Sequence, residues 1–173
     1  GYSEINRWTV GNEAAPTFFQ TYSEVELLLA EAASRGWTSS NAADHYAKGV
    51  TADMQTVAMN PGDMSIPQSS IDAYLAANPF PAGGTFEQKM ERIHYEMRIT
   101  HFMNFIEAYS NWRRTGYPEL IPTNWPGNLT GGTIPRRLPY PTSEAINNTE
   151  AYDAAIKRQG PDALTTRVWW DKQ

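Results

Sequence analysis

The strongest chemical signals in this sequence are two arginine pairs. Arg113 and Arg114 sit in the run from Trp112 to Pro118 (WRRTGYP), and Arg136 and Arg137 in the run from Ile134 to Pro141 (IPRRLPYP). Both pairs are embedded in aromatic residues and prolines rather than in other charges. A guanidinium in such surroundings can stack on a ring and still offer several donors to carbonyls or carboxylates. That chemistry serves one of two ends. It recognises a ligand, or it stitches irregular loops onto helices by satisfying their backbone carbonyls. The second is the simpler expectation and makes all four residues structural arginines. Glu31 and Glu107, each flanked by apolar residues, are the natural acids for such a pairing. Trp125 and Trp37 are the aromatic residues best suited to ligand binding, because each falls in an expected loop where an indole can meet the apolar face of a sugar ring. Packing on the protein body is the competing reading for both. Trp169 and Trp170 are expected in the core.

No catalytic or metal-binding constellation accompanies these residues. His94 and His101 share a helix face but lie two turns apart, about 10.5 Å. They cannot share one zinc, whose ligand bonds are near about 2 Å. The His-Glu-x-x-His pattern is absent, as are the Gly-x-Ser-x-Gly elbow and a glycine-rich phosphate loop. Asp63 lacks the alternating oxygen ligands of a calcium loop. Glu87 and Glu91 share a helix face with Lys89 and Arg92, which reads as a solvated surface rather than two converging acids. There is no cysteine, so disulfides, thiolate zinc sites and a cysteine nucleophile are excluded within this chain. The expectation is therefore no catalytic residue, no metal and no cofactor.

Composition sets the wider limits. The chain has 173 residues, 40% of them hydrophobic and 12% aromatic. That is enough for one compact domain with a sizeable core. The net charge is −5, with the acidic surplus in residues 1–80 and near balance in residues 81–173. Neither half has the dense basic patch that phosphate backbones need, so nucleic acid is not an expected partner. No apolar run is long enough to span a membrane. The chain opens on Gly1 without a signal region, so a signal peptide or lipid-bearing cysteine is expected upstream of it.

The elements that must position these side chains are helices. Residues 1–20 read as an extended lead-in. Thr21 and Glu24 have capping-box spacing ahead of a helix over 22–35, stopped by Gly36. Its small residues Ala30, Ala32 and Ala33 allow a second helix to come close. That second helix runs from about Ala42, capped by Asn41, to Met59, where Pro61 and Gly62 end it. The short connection makes the two an antiparallel hairpin. A short helix is expected near Ile71–Ala77. Thr85 and Gln88 open a long helix to about Tyr109. Its apolar second half (Tyr95, Ile99, Phe102, Ile106, with Met103 and Phe105) implies burial on several sides. Beyond it periodicity fades into irregular loops, with short helical turns within Ser143–Lys157.

Several tracts together resemble a known family. The run from Tyr22 to Ala33 (YSEVELLLAEAA), the segment Ala42–Met54, the run from Glu107 to Pro118 (EAYSNWRRTGYP), Ile134 to Glu144 (IPRRLPYPTSE) and Val168 to Lys172 (VWWDK) are similar, in order, to motifs of the SusD/RagB family. The resemblance implies a mainly α SusD-like fold with tetratricopeptide-like helix pairs and long irregular loops in the C-terminal third. Residues 1–173 would then be the C-terminal part of a longer protein, as one domain. It also implies a non-enzymatic lipoprotein on the outer face of the outer membrane, held only by an N-terminal lipid anchor that this chain does not contain. Such proteins bind glycans or related nutrients and pass them to a SusC-like TonB-dependent transporter. No family ligand residue is carried onto this chain, and the arginine tracts resemble fold determinants of the family. The competing readings are a tetratricopeptide-like helical adaptor that binds protein or peptide segments, and a fragment of an α-helical carbohydrate-active enzyme.

Overall fold

The computed structural model describes residues 3–171, and every regular element among them is a helix. Lys172, which closes the last of the tracts above, lies outside the described residues. The chain divides into two compact units, Gly1–Glu119 and Leu120–Gln173.

The first unit opens with residues 3–20, expected to be extended and found instead to turn repeatedly over residues 7–15. The cause is local: Asn6 and Asn12 each accept an amide two residues on, from Trp8 at 2.9 Å and Ala14 at 2.8 Å. Helix α1 then spans Tyr22–Ser34. Thr21 caps it, its hydroxyl accepting the Glu24 amide at 3.1 Å. The Glu24 carboxylate is engaged elsewhere, 3.4 Å from His101 Nε2. The stop is at Gly36, with φ 74°, where the Gly36 and Trp37 amides turn back to Ala33 and Ala32. Helix α2, Ala42–Thr56, is capped by Asn41 and tightens into a 3-10 turn over Val57–Met59. Pro61 disfavours further helix at Asn60.

α1 and α2 pack closely because both present small residues. Ala30 is fully buried, and Gly49 faces Leu27 so tightly that an added Cβ would lie 2.8 Å from Leu27 Cγ. Helix α3 (Gln68–Ala77) and helix α4 (Phe86–Thr100, with the full Thr85–Gln88 capping box) complete the packing. The core is Leu27, Ala30, Tyr46, Val50, Met90, Ile93 and Met97, flanked by Tyr74, Leu75, Phe80 and Tyr117. Buried acids accompany it: Glu96 accepts hydrogen bonds from the Tyr46 hydroxyl at 3.2 Å and the Tyr74 hydroxyl at 3.1 Å, and Glu31 lies on the inner face of α1.

The long helix expected to Tyr109 is two helices. α4 ends at Thr100; His101 caps it, Met103 takes a left-handed φ of 71°, and α5 restarts over Phe105–Thr115. The break has a structural reason. In one straight helix, residues 94 and 111 would stand about 25 Å apart along the axis. Here the Asn111 amide meets His94 Nδ1 at 3.1 Å. The burial expected for the second half is also not found, since Ile99, Phe102, Met103, Phe105 and Ile106 are exposed in this chain.

The second unit is an irregular segment followed by α6, Thr142–Asn147, and α7, Thr149–Gln159. Trp169 and Trp170, expected in the core, are exposed. The chain turns so that Asp171, not an indole, is the buried group there: its amide bonds to the Val168 carbonyl at 2.9 Å and its carboxylate seats Arg136.

Candidate ligand-binding surfaces and the arginine anchors

Glu31, on the inner face of α1, is the acid to which the first arginine tract turns. Arg114 forks onto it, Nη1 to Oε1 at 2.8 Å and Nη2 to Oε2 at 2.7 Å. Arg35, one turn further along α1, donates through Nε at 2.8 Å. His94 Nε2 lies 3.5 Å away. Glu107, the other acid proposed as partner, is on the exposed face of α5. Burial alone would raise the Glu31 pKa, but hydrogen bonds from Arg114 and Arg35 outweigh it and hold the carboxyl at about 2. His94 is fully buried, and burial lowers its pKa to about 4, with the guanidiniums working in the same direction and Glu31 against it. The Asn111 amide donates to Nδ1, so the neutral imidazole carries its proton on Nε2, toward Glu31. Arg113 is half-buried, with its guanidinium 5.4 Å from the Tyr109 ring.

The second arginine tract is anchored inside the second unit. The amides of Arg136 and Arg137 both point to the Leu164 carbonyl, at 2.7 and 3.3 Å. Arg136 Nε donates to Asp171 at 2.7 Å, and Arg167 joins the same carboxylate at 3.1 Å. Arg137 donates to Asp162 at 2.9 Å and lies over the Tyr140 ring at 4.7 Å. Asp162 also receives the Tyr140 amide at 3.1 Å.

The two tryptophans named for ligand contact belong to different units. Trp37 is 71% exposed on the turn after α1. The Arg35 guanidinium sits 5.2 Å from its ring and 5.3 Å from the ring of Phe86. The cation that backs Trp37 is thus fixed at its other edge by Glu31, which connects this indole to the Arg114 anchor. Trp125 is 67% exposed in the loop before α6, its carbonyl accepting the Asn128 amide at 2.9 Å. Each presents an open indole to solvent.

Sequence reasoning missed a groove of about 890 Å³ within the first unit. It runs between the turns before α1, the end of α2 and the α4–α5 turn. Phe18, Phe19, Phe102 and Ile106 form apolar walls, while Glu13, Glu24, Asp53, His101 and Glu107 supply the ionisable lining. Burial pushes the Asp53 carboxyl up, with Thr100 and His101 offsetting only part of the effect. The only signal in the sequence was Phe18-Phe19 ahead of the α1 cap, and its meaning depended on the break at Met103. Among the described residues, no three ionisable groups are arranged to hold a metal, and no helix is long and apolar enough to cross a membrane.

Comparison with known proteins adds a second line of observation. A SusD-like family model, described as starch-binding associating with outer membrane, matches residues 2–141. Among curated proteins no sequence matches. A solved chitin-binding protein superposes with a TM-score of 0.74 at 46% identity, over 88% of this chain and 33% of its own. A SusD-like protein of Bacteroidetes AC2a gives a TM-score of 0.78 at 36% identity, over 92% of this chain and 31% of its own. A chitin-binding SusD homolog from Flavobacterium johnsoniae gives 0.66 at 28% identity, over 87% and 36%. The chain thus spans about a third of the length of these relatives.

Proposed function

Because the chain belongs to the SusD-like family, whose members associate with the outer membrane and bind rather than transform their ligands, we propose that it is part of a surface protein that captures glycans for uptake. The reading extends to its companions: the whole protein holds a glycan at the cell surface and passes it to a SusC-like TonB-dependent transporter, attached through a lipid anchor outside this chain. The observation that carries it is the 46% identity to a chitin-binding protein over 88% of this chain. The side chains are consistent with a binder. Trp37 and Trp125 offer exposed indoles for the apolar face of a pyranose, backed at Trp37 by a fixed guanidinium. In this reading Arg113, Arg114, Arg136 and Arg137 hold the fold and do not meet the ligand.

Isothermal titration of the full-length protein with chito- and malto-oligosaccharides tests the proposal. Saturable binding is expected, without hydrolysis of the ligand. Trp37→Ala or Trp125→Ala, whichever ring stacks on the sugar, weakens it about tenfold, equivalent to roughly 1.4 kcal/mol. A protein that binds neither glycan class, or that cleaves one, defeats the reading. Co-purification of the native protein with an outer-membrane barrel tests the transporter separately.

A further inference from the structure

The apolar side chains left open in the first unit are not scattered. Phe19 is 91% exposed, Phe102 55% and Ile106 78%, and all three line the same groove. Soluble surfaces rarely leave so many large apolar groups together without a partner. The groove is also predominantly acidic. Glu13, Glu24, Asp53 and Glu107 line it with His101, which lies 3.4 Å from Glu24, and no Lys or Arg does. Its occupant must therefore bring aliphatic surface and positive charge together. A neutral sugar offers ring faces and hydroxyls but no cation. An amphipathic helix with Lys or Arg beside an apolar stripe meets both demands.

The source of such a helix follows from the length of the relatives. The region matched by this chain is only 33% and 31% of two of them, so most of their polypeptide lies outside it. We infer that the groove is an internal seat of a longer polypeptide, filled by a helix from outside residues 1–173 that carries Lys or Arg alongside an aliphatic stripe. A cation delivered there meets Asp53 and Glu24, and the stripe covers Phe102 and Ile106. The inference is independent of which glycan the protein binds.

Since residues 1–173 contain no cysteine, introduced thiols can report on the groove. Ile106→Cys and, on the exposed α1–α2 connection, Ser39→Cys are compared in the full-length polypeptide, any cysteine outside residues 1–173 being replaced by serine, by their rates of reaction with a water-soluble maleimide. Ile106→Cys is expected to react about a hundredfold more slowly, because labelling requires the seat to open. Glu107→Lys is expected to lower the thermal midpoint of the same polypeptide by several degrees relative to the charge-matched Glu4→Lys. Similar labelling rates at the two thiols overturn the inference. So does protection of Ile106→Cys that depends on added glycan, which makes the groove a sugar site, or on protein concentration, which makes it a self-association face. Loss of glycan binding in a tryptophan variant bears only on the previous proposal.

Discussion

At the scale of single residues, the molecule concentrates its electrostatics on Glu31. Arg114 and Arg35 both donate to it, so their two positive charges share one carboxylate. Its pKa is depressed to about 2 from 4.5, so the unfolded chain takes up a proton before the folded one does. Its contribution is therefore complete above about pH 4.5 and is lost as the pH falls through about 2. His94 acts in the same sense. Its folded pKa of about 4 lies below the ordinary 6.5, so stability falls as pH drops from 6.5 toward 4. The two windows join, and thermal midpoints measured between pH 7 and 2 should decline throughout, with His94→Gln flattening the segment from 6.5 to 4. Glu31→Gln at pH 7 should cost about 2–3 kcal/mol in urea unfolding, less than for a fully buried pair because Arg114 is partly solvated.

At the scale of elements, the most extensive packing is between α1 and α2. Gly49→Ala would place a methyl 2.8 Å from Leu27 Cγ, and overpacking of this kind costs about 1–3 kcal/mol. Gly49→Ala combined with Leu27→Ala should be less destabilised than the two single losses added together, a coupling that a double-mutant cycle in urea measures. This hairpin was readable from the sequence, because caps, small residues and a glycine stop are local signals. The break between α4 and α5 was not. Phe102, Met103 and Phe105 continue the apolar pattern without a Gly or Pro, and the turn is held by contacts distant in sequence, Asn111 to His94 and Arg114 to Glu31. The same limit applies to the candidate site. Exposed indoles at Trp37 and Trp125 could be named from loop position, whereas the groove needs three separate segments brought together. Glu31 could be named as an arginine partner, but only the redirected α5 selects Arg114 for it.

At the scale of the whole molecule, the two units are stabilised differently. The fully buried apolar side chains among the described residues all belong to the first unit. The second relies on carboxylates as organising centres: Asp171 with Arg136 and Arg167, and Asp162 with Arg137 and the Tyr140 amide. Asp162→Ala should therefore speed hydrogen exchange at the Tyr140 amide by about tenfold or more while α1 to α4 keep their protection. A uniform change across both units would show that they unfold together. Two of the SusD-like tracts legible in the sequence, Ile134 to Glu144 and Val168 to Lys172, contribute Arg136, Arg137, Tyr140 and Asp171 to these anchors.

The fork from Arg114 to Glu31 also sets an order of events during synthesis. Its partners lie 83 residues apart, so α1 and Arg35 leave the ribosome long before the second guanidinium that joins them on the inner carboxylate. Until α5 emerges, Glu31 has Arg35 as its guanidinium partner but lacks the fork, and the early helices are held less firmly there. Completion of the Glu31 anchor is thus tied to the arrival of residue 114, and a nascent chain halted before it should be more open to proteases than one that includes it.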